Sequence, residues 1–281
     1  MTTPPRQQGG YFLIAITAAL AVIAFGFIIA YSSLLAKKQQ QTLFLAQQAY
    51  MADVNSALTA TYAQNAGTID SITDANNWNA TSFLSLAGIQ LKWGAQVAFA
   101  QGLVQDGINY SVIVVWLPTN TDTTNPPNFN ETTGAFVSCT NTQASCSPRA
   151  YAIISGLTIQ ATLQANAIKQ LDTLAGIHQA YFKAKLLQDP DKNIAINYFR
   201  APDGNCANAS NMPCIDTYTN ESLTAIPGLL GISSDLLINP WGLPIEVSNN
   251  EGSSLSYPFS LSIKSETPWG SFINILAIQP V

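Results

Sequence analysis

The stretch from Tyr11 to Tyr31 is the feature that most constrains what this chain can fold into, because its 21 residues include no charged side chain. As an α-helix it would reach about 30 Å, which matches the hydrocarbon core of a bilayer. A helix satisfies its own backbone hydrogen bonds, so it can cross lipid without help from the rest of the chain. The sequence therefore predicts a transmembrane helix here.

A secretory signal peptide is the alternative interpretation of the same stretch. Such a peptide normally has an apolar region of about 7–15 residues, followed by a small-x-small cleavage site. The apolar run here is longer, and Ala30-Tyr31-Ser32 is a poor context for cleavage. Apolar residues then recur three or four positions apart up to Tyr62 without a helix breaker. We therefore expect the helix to leave the membrane and continue in amphipathic form.

The overall composition argues against nucleic acid as a partner. The formal net charge is −5 and the pI is about 4.7, so no basic field is present to attract phosphates. Only 10% of the residues are charged, and the polar surface must come mainly from Asn, Thr, Ser and Gln. Such a surface suits a protein exposed outside the cell, although a compositional habit of the source organism would produce it as well.

Four cysteines fall into two close pairs, Cys139 with Cys146 and Cys206 with Cys214. Both pairs lie in turn-rich polar segments, which favours two small disulfide loops in an oxidising compartment. A metal site is the alternative, but it needs closer cysteine spacing or nearby histidines, and His178 is the only histidine. Charges beside the apolar run barely decide its orientation, whereas disulfides require the residues after about 40 to lie outside the cytoplasm.

A second long helix is predicted over Thr158–Leu187, where apolar residues recur at helical spacing. Its apolar stripe includes Ile168, Leu171 and Leu174, and Asp189-Pro190 ends it. His178 lies beside this stripe, where a lone histidine is more often a packing or surface residue than a ligand.

Three β-strands are predicted from shorter runs. Tyr110–Leu117 is rich in β-branched residues and is bounded by Asn and Pro. Alternation marks a second strand at residues 259–263, and a continuous apolar run marks a third at Phe272–Ile278.

The two halves of the chain share short matches that indicate an internal repeat. LAGI at 86–89 corresponds to LLGI at 229–232, and Trp93-Gly94 corresponds to Trp241-Gly242. Each half would contain a long helix and terminal strands, with a boundary at 153–156. These features predict an α+β fold.

Catalysis is not expected. The sequence lacks G-x-S-x-G, HExxH, a phosphate-binding Gly loop and CxxC. One histidine and 16 thinly spread carboxylates do not form a recognisable acid–base pair. We expect no enzyme activity, no cofactor and no resident metal.

The leader and apolar helix together resemble a type IV prepilin, the class that includes pseudopilins and the minor pilins of conjugative pili. In that family a short leader with a basic residue ends in Gly, and a prepilin peptidase cuts after it. The resemblance assigns these roles to Arg6, Gly10 and the Gly10–Tyr11 bond. The family usually begins its mature chain with Phe, so Tyr11 is a departure.

A second departure lies at Ala15, the fifth mature position, where the family usually has Glu. That Glu neutralises the amine of a neighbouring subunit inside the apolar filament core. A subunit without it suits a position with no such neighbour, because a buried unpaired amine is costly. The resemblance therefore implies a minor or tip subunit.

A second resemblance lies in the turn Asn239-Pro240-Trp241-Gly242-Leu243-Pro244, which is similar to a turn that precedes the sheet in pilin-like domains. Both prolines fix φ and Gly242 permits a positive φ. Some pseudopilins bind calcium near this turn. Here the nearby acids are only Asp235 and Glu246, so calcium is not expected.

The resemblance implies a pilin-like organisation in four parts. These are a leader at 1–10, a transmembrane and amphipathic helix at 11–62, a first sheet region with a disulfide loop at 63–155, and a second helix-plus-sheet domain at 156–281. The implied function is a filament subunit, and the alternative is an uncleaved periplasmic component of a secretion or conjugation machine. A sensor ectodomain is a third possibility, without a cytoplasmic domain to receive its signal.

The implied location is the bacterial inner membrane with a periplasmic C-terminal region, and then an extracellular pilus. The implied partners are prepilin peptidase, other pilin subunits, and a host or recipient cell surface. Three aromatic residues, Trp78, Phe129 and Trp269, are candidates for contact with a target.

The disulfide assignment predicts which thiols resist alkylation. Without reduction we expect none of the four cysteines to be modified, because each is oxidised, and peptides should be linked as Cys139–Cys146 and Cys206–Cys214. Non-reduced peptide mapping by mass spectrometry checks this. A reduced sample is the control, and crossed linkages between the two pairs would contradict the assignment.

Overall fold

The computed structural model describes residues 8–73, 78–119, 126–138, 150–199, 218–223, 226–248 and 257–280. The chain divides into two compact units, which we call the first unit (Met1–Val54) and the second unit (Asn55–Val281).

The described elements are four α-helices, two 3₁₀ turns and nine strands. The helices are α1 (Gln8–Ile69), α2 (Ala80–Leu86), α3 (Leu157–Gln188) and α4 (Ile226–Leu230), and the 3₁₀ turns are Glu221–Leu223 and Ser234–Leu237. The strands are β1 (Gln96–Gln105), β2 (Ile108–Trp116), β3 (Asn128–Asn130), β4 (Ala135–Val137), β5 (Tyr151–Ser155), β6 (Thr219–Asn220), β7 (Ile245–Ser248), β8 (Ser260–Glu266) and β9 (Phe272–Ile278). Every described strand pair is antiparallel, which confirms the predicted α+β class with a long N-terminal helix.

The described part of the first unit is a single helix, α1 up to Val54. Among the described residues, α1 is the one helix long and apolar enough to cross a membrane, by length and composition. It begins at Gln8, inside the predicted leader.

The second unit contains a three-stranded sheet in the order β1-β2-β5. The β1–β2 hairpin turns at Asp106 and Gly107, whose φ angles are 53° and 78°. Two left-handed residues match a two-residue turn to the twist of its strands, and Asp-Gly adopts them readily. Ile113, Val114 and Val115 in the middle of β2 are completely buried. The strand predicted over residues 110–117 is therefore confirmed.

A second sheet has the order β6-β7-β8-β9, and α3 packs on it. The buried side chains at this contact form one apolar core; its completely buried members are Leu171, Leu174, Phe182, Phe199, Val247, Leu261, Ile263 and Ala277. The helix predicted at 158–187 and the strand predicted at 272–278 are both confirmed. A short hairpin, β3-β4, forms a separate two-stranded sheet.

The buried face of α3 differs from the predicted stripe, because Ile168 is 41% exposed. The buried residues are Gln160, Ala167, Leu171, Leu174, Ala175, His178 and Phe182. This set keeps the helical period but includes two polar side chains. Each of them has a buried hydrogen-bond partner far away in the sequence, which makes its burial possible. The apolar pattern does not include these two residues, so it predicts a face that is slightly rotated from the buried one.

The predicted division of the globular part at residues 153–156 stays a prediction. The one division between compact units falls within α1, after Val54.

Gly156 lies where α1, β2 and α3 meet in the second unit. Its backbone N–H donates to the Ser111 carbonyl at 2.9 Å, and its own carbonyl accepts from the Gln160 N–H at 2.8 Å. A Cβ at this position would overlap the hydroxyl of Tyr62, whose side chain is completely buried. Only a residue without a side chain fits here.

Replacing Gly156 by Ala is expected to destabilise the second unit by at least about 1–3 kcal/mol, since the Tyr62 ring has to move within a packed core. Gly176→Ala, at an exposed position of α3, is the matched control, because a Cβ there meets nothing within 4 Å. Helix propensity predicts that this control gains about 0.5–1 kcal/mol. Urea unfolding in detergent, followed by tryptophan fluorescence, measures both. Equal effects of the two substitutions would contradict the packing argument.

Candidate functional site

The apolar part of α1 exposes an unusual amount of hydrophobic surface. Between residues 14 and 35 the described side chains are all exposed; the large apolar ones include Ile14, Leu20, Val22, Phe25, Phe27, Ile28 and Leu34, each at least 60% exposed. A soluble monomer rarely keeps so continuous an apolar surface in water. This surface needs lipid or protein around it.

The few polar side chains in this part of α1 are satisfied by the helix itself. The hydroxyls of Thr17, Ser32 and Ser33 donate to carbonyls one turn earlier, at 3.0, 2.9 and 2.8 Å. A hydroxyl bonded in this way costs little in lipid, because it leaves no donor unmatched.

The predicted processing residues lie at the start of α1. Gly10 and Tyr11 lie within the helix, and Ala15 is exposed on it. Arg6 and all four cysteines lie outside the described residues, so the predicted cleavage motif and disulfides stay predictions there.

A network of buried polar groups lies in the second unit at the end of α1. The Asp70 carboxylate is 3% exposed and accepts hydrogen bonds from three side chains. The Ser111 hydroxyl donates to Oδ1 at 2.6 Å, and the Gln160 amide donates to Oδ2 at 2.6 Å. The Tyr62 hydroxyl also donates to Oδ2. Tyr62 in turn accepts from the Ser111 N–H at 2.9 Å. We call these four residues the Asp70 network.

Electrostatics in this network are dominated by burial. Burial raises the pKa of the Asp70 carboxyl, and the bonds from Ser111, Tyr62 and Gln160 lower it by less. The pKa of the Tyr62 hydroxyl is raised by burial and then by the Asp70 charge. The network is closed to solvent and holds its groups in fixed positions, so it is a structural junction and offers no room for a substrate.

The predicted turn at Asn239–Pro244 is joined to this network. The Asn239 Oδ1 atom accepts from the backbone N–H groups of Trp241 and Leu243, at 3.0 and 2.9 Å. Gly242 has a φ of 84°, a positive value of the kind that glycine permits. The Trp241 indole N–H donates to the Gln160 side-chain oxygen at 2.7 Å, which links the turn to α3.

A second Pro-Trp-Gly turn, at Pro268-Trp269-Gly270, lies against the first. The rings of Trp241 and Trp269 are 5.6 Å apart and nearly perpendicular. The Pro268 carbonyl accepts from the Ile72 N–H at 3.1 Å, just beyond the end of α1. The repeated tripeptide is visible in the sequence, and it was the signal that could have predicted this pairing.

Two of the titratable residues considered as ligands, His178 and Glu246, each pair with another side chain of the second unit. His178 and Glu221 are completely buried, and their side chains lie 2.7 Å apart. Glu246 forms an ion pair with Lys264 at 2.7 Å. Within the described residues, no group of three or more His, Cys, Asp or Glu is arranged to hold a metal ion.

The three aromatic residues proposed for target contact, Trp78, Phe129 and Trp269, are all partly buried. The Trp78 indole N–H donates to the Thr68 carbonyl at 3.1 Å, and its ring packs edge-on against Phe83. Packing accounts for much of each surface, and the structure brings no two of the three together.

Comparison of this chain with family models, with curated proteins and with solved structures finds no match.

The raised pKa of Asp70 predicts how stability depends on pH. In the unfolded chain the pKa of an Asp is about 3.9, whereas the folded group keeps its proton up to a higher pH. Its contribution is therefore complete below about pH 3.9 and is lost as pH rises through the folded pKa. We expect the urea midpoint of the wild type to fall from pH 4 towards neutrality, and this fall to be reduced in Asp70→Asn.

Asp172→Asn is the matched control, because it makes the same replacement at an exposed position on α3. The pKa of Asp189 is lowered, first by the hydrogen bond from the Tyr198 hydroxyl, so this carboxyl changes the stability only below about pH 4. Asp189 is present in every variant, so it does not account for a difference between them. A slope unchanged by Asp70→Asn would show that Asp70 does not titrate in this range.

Proposed function

We propose that this chain is a subunit of a type IV pilin-like filament and that it assembles through α1. The observation that carries the proposal is the uncharged run from Tyr11 to Tyr31, which lies in a helix that extends to Ile69 and exposes its large apolar side chains. Covering one such side chain is worth about 1.5–3 kcal/mol. The run therefore stays in lipid before assembly and among apolar helices afterwards.

The chemistry of the run suits both environments. In lipid its backbone is internally bonded and its hydroxyls are paired within the helix. Among other helices, van der Waals packing of Ala, Gly, Ile and Phe replaces the lipid contacts. The same surface serves in both states, so transfer from membrane to filament requires no refolding of α1.

The second unit supports the proposal by its layout. The last turns of α1 are buried in it through Leu58, Tyr62 and Ile69, and α3 packs on an antiparallel sheet. This agrees with a coarse pilin-like arrangement of helix and sheet. The Asn239–Pro244 turn precedes strand β7, as in the turn it resembles.

Ala15 favours a minor or tip subunit within this proposal. An apolar side chain at the fifth mature position offers no carboxylate to the amine of a neighbour. A subunit in the middle of the filament would leave that amine buried without a partner. The polar loops of the second unit would then contact other subunits or a target surface, and the role is one of assembly and adhesion rather than catalysis.

Determination of the mature N-terminus tests the proposal. Mass spectrometry of the chain from membranes and from sheared cell surfaces should show a start at Tyr11. Gly10→Val should block this processing, because the family's peptidase cuts after Gly, whereas Gly9→Ala should leave it intact as the matched control.

Two other outcomes would contradict the proposal in different ways. A chain that keeps Met1 in both fractions would be an uncleaved bitopic component of a transport machine. A chain that starts near Ser32 would have lost a signal peptide and would be a soluble secreted protein.

A further inference from the structure

We propose that Lys37 and Lys38 bind the headgroups of anionic phospholipids at the membrane surface where the apolar run ends. This rests on the proposed function, in that the run has to span a bilayer. A lipid is the expected partner because positive charge and apolar surface lie side by side on α1 where the uncharged run ends.

The charge distribution makes this pair a local cationic site. The first 52 residues contain no acidic side chain, and their only charged side chains are Arg6, Lys37 and Lys38. The first acid is Asp53, 15 residues beyond Lys38, or about 22 Å along a helix. That distance exceeds twice the Debye length of about 8 Å at physiological ionic strength. No acid of α1 therefore neutralises the pair.

The length of the uncharged segment sets the depth of the lysines. Residues 11–36 form 26 uncharged positions, and as a helix they reach about 39 Å. A bilayer including its headgroups is about 40–45 Å thick. With Tyr11 at one interface, Lys37 and Lys38 lie at the headgroup level of the other.

Lys38 lies in a groove that also contains two leucines. A shallow groove along α1 is lined by Leu35, Lys38, Gln39, Thr42, Leu43 and Ala46. Leu35 lies three residues before the lysine and Leu43 lies five residues after it, and they are 43% and 48% exposed. A cation between apolar side chains matches a phospholipid, whose phosphate lies beside its acyl chains. An anionic headgroup is favoured over a zwitterionic one, because it adds no cation of its own.

Lipid selectivity of the full chain tests this proposal. The chain is reconstituted in phosphatidylcholine vesicles, and electron paramagnetic resonance compares the association of spin-labelled phosphatidylglycerol with that of spin-labelled phosphatidylcholine. We expect a preference for phosphatidylglycerol of up to about fivefold for each lysine, decreasing with added salt. The variant Lys37→Gln/Lys38→Gln should lose this preference.

Lys169→Gln/Lys183→Gln is the matched control, since it removes the same charge from exposed positions on α3 and should keep the preference. Equal preference in the wild type and Lys37→Gln/Lys38→Gln would overturn the lipid assignment. A wild type that enters the vesicles without preferring either lipid would also overturn it, while leaving the spanning helix intact. Failure to float with the vesicles at all would overturn the spanning helix as well.

Discussion

The buried carboxylate of Asp70 is the interaction on which the second unit depends. A charged or polar group taken out of water is costly unless every bond it loses is replaced. Here the replacements come from the end of α1, from β2 and from α3, through Tyr62, Ser111 and Gln160. Each element must therefore be in place for the others to be stable. Gln160 extends the requirement to the Trp241 turn.

The two units satisfy opposite physical conditions. The second unit buries an apolar core of its own and pairs the polar groups of the Asp70 network inside it. In the first unit the described side chains of residues 14–46 are all exposed, because a single helix cannot cover its own apolar side chains. The exposed apolar side chains of that helix need lipid or protein around them, and this need is the basis of the proposed filament function.

Local patterns predicted the elements and missed the contacts between them. Periodicity was enough for α3, β2 and β9, because each is long and strongly patterned. The buried face that periodicity predicted for α3 is rotated slightly from the observed one. Gln160 and His178 belong to the observed face, but as polar residues they are predicted at the surface until their partners are known. Those partners lie 90 and 43 residues away, and no local pattern encodes such distances. The Asp70 network was missed for the same reason.

The Asp70 network also has an evolutionary consequence. Its four members are spread over about a third of the chain, yet each one fills a bonding position that another leaves open. A change at one position is tolerated only when the others change to match, because effects within one polar network are not additive. Among related chains, positions 62, 70, 111 and 160 should vary together, and position 156 should remain Gly wherever 62 is Tyr.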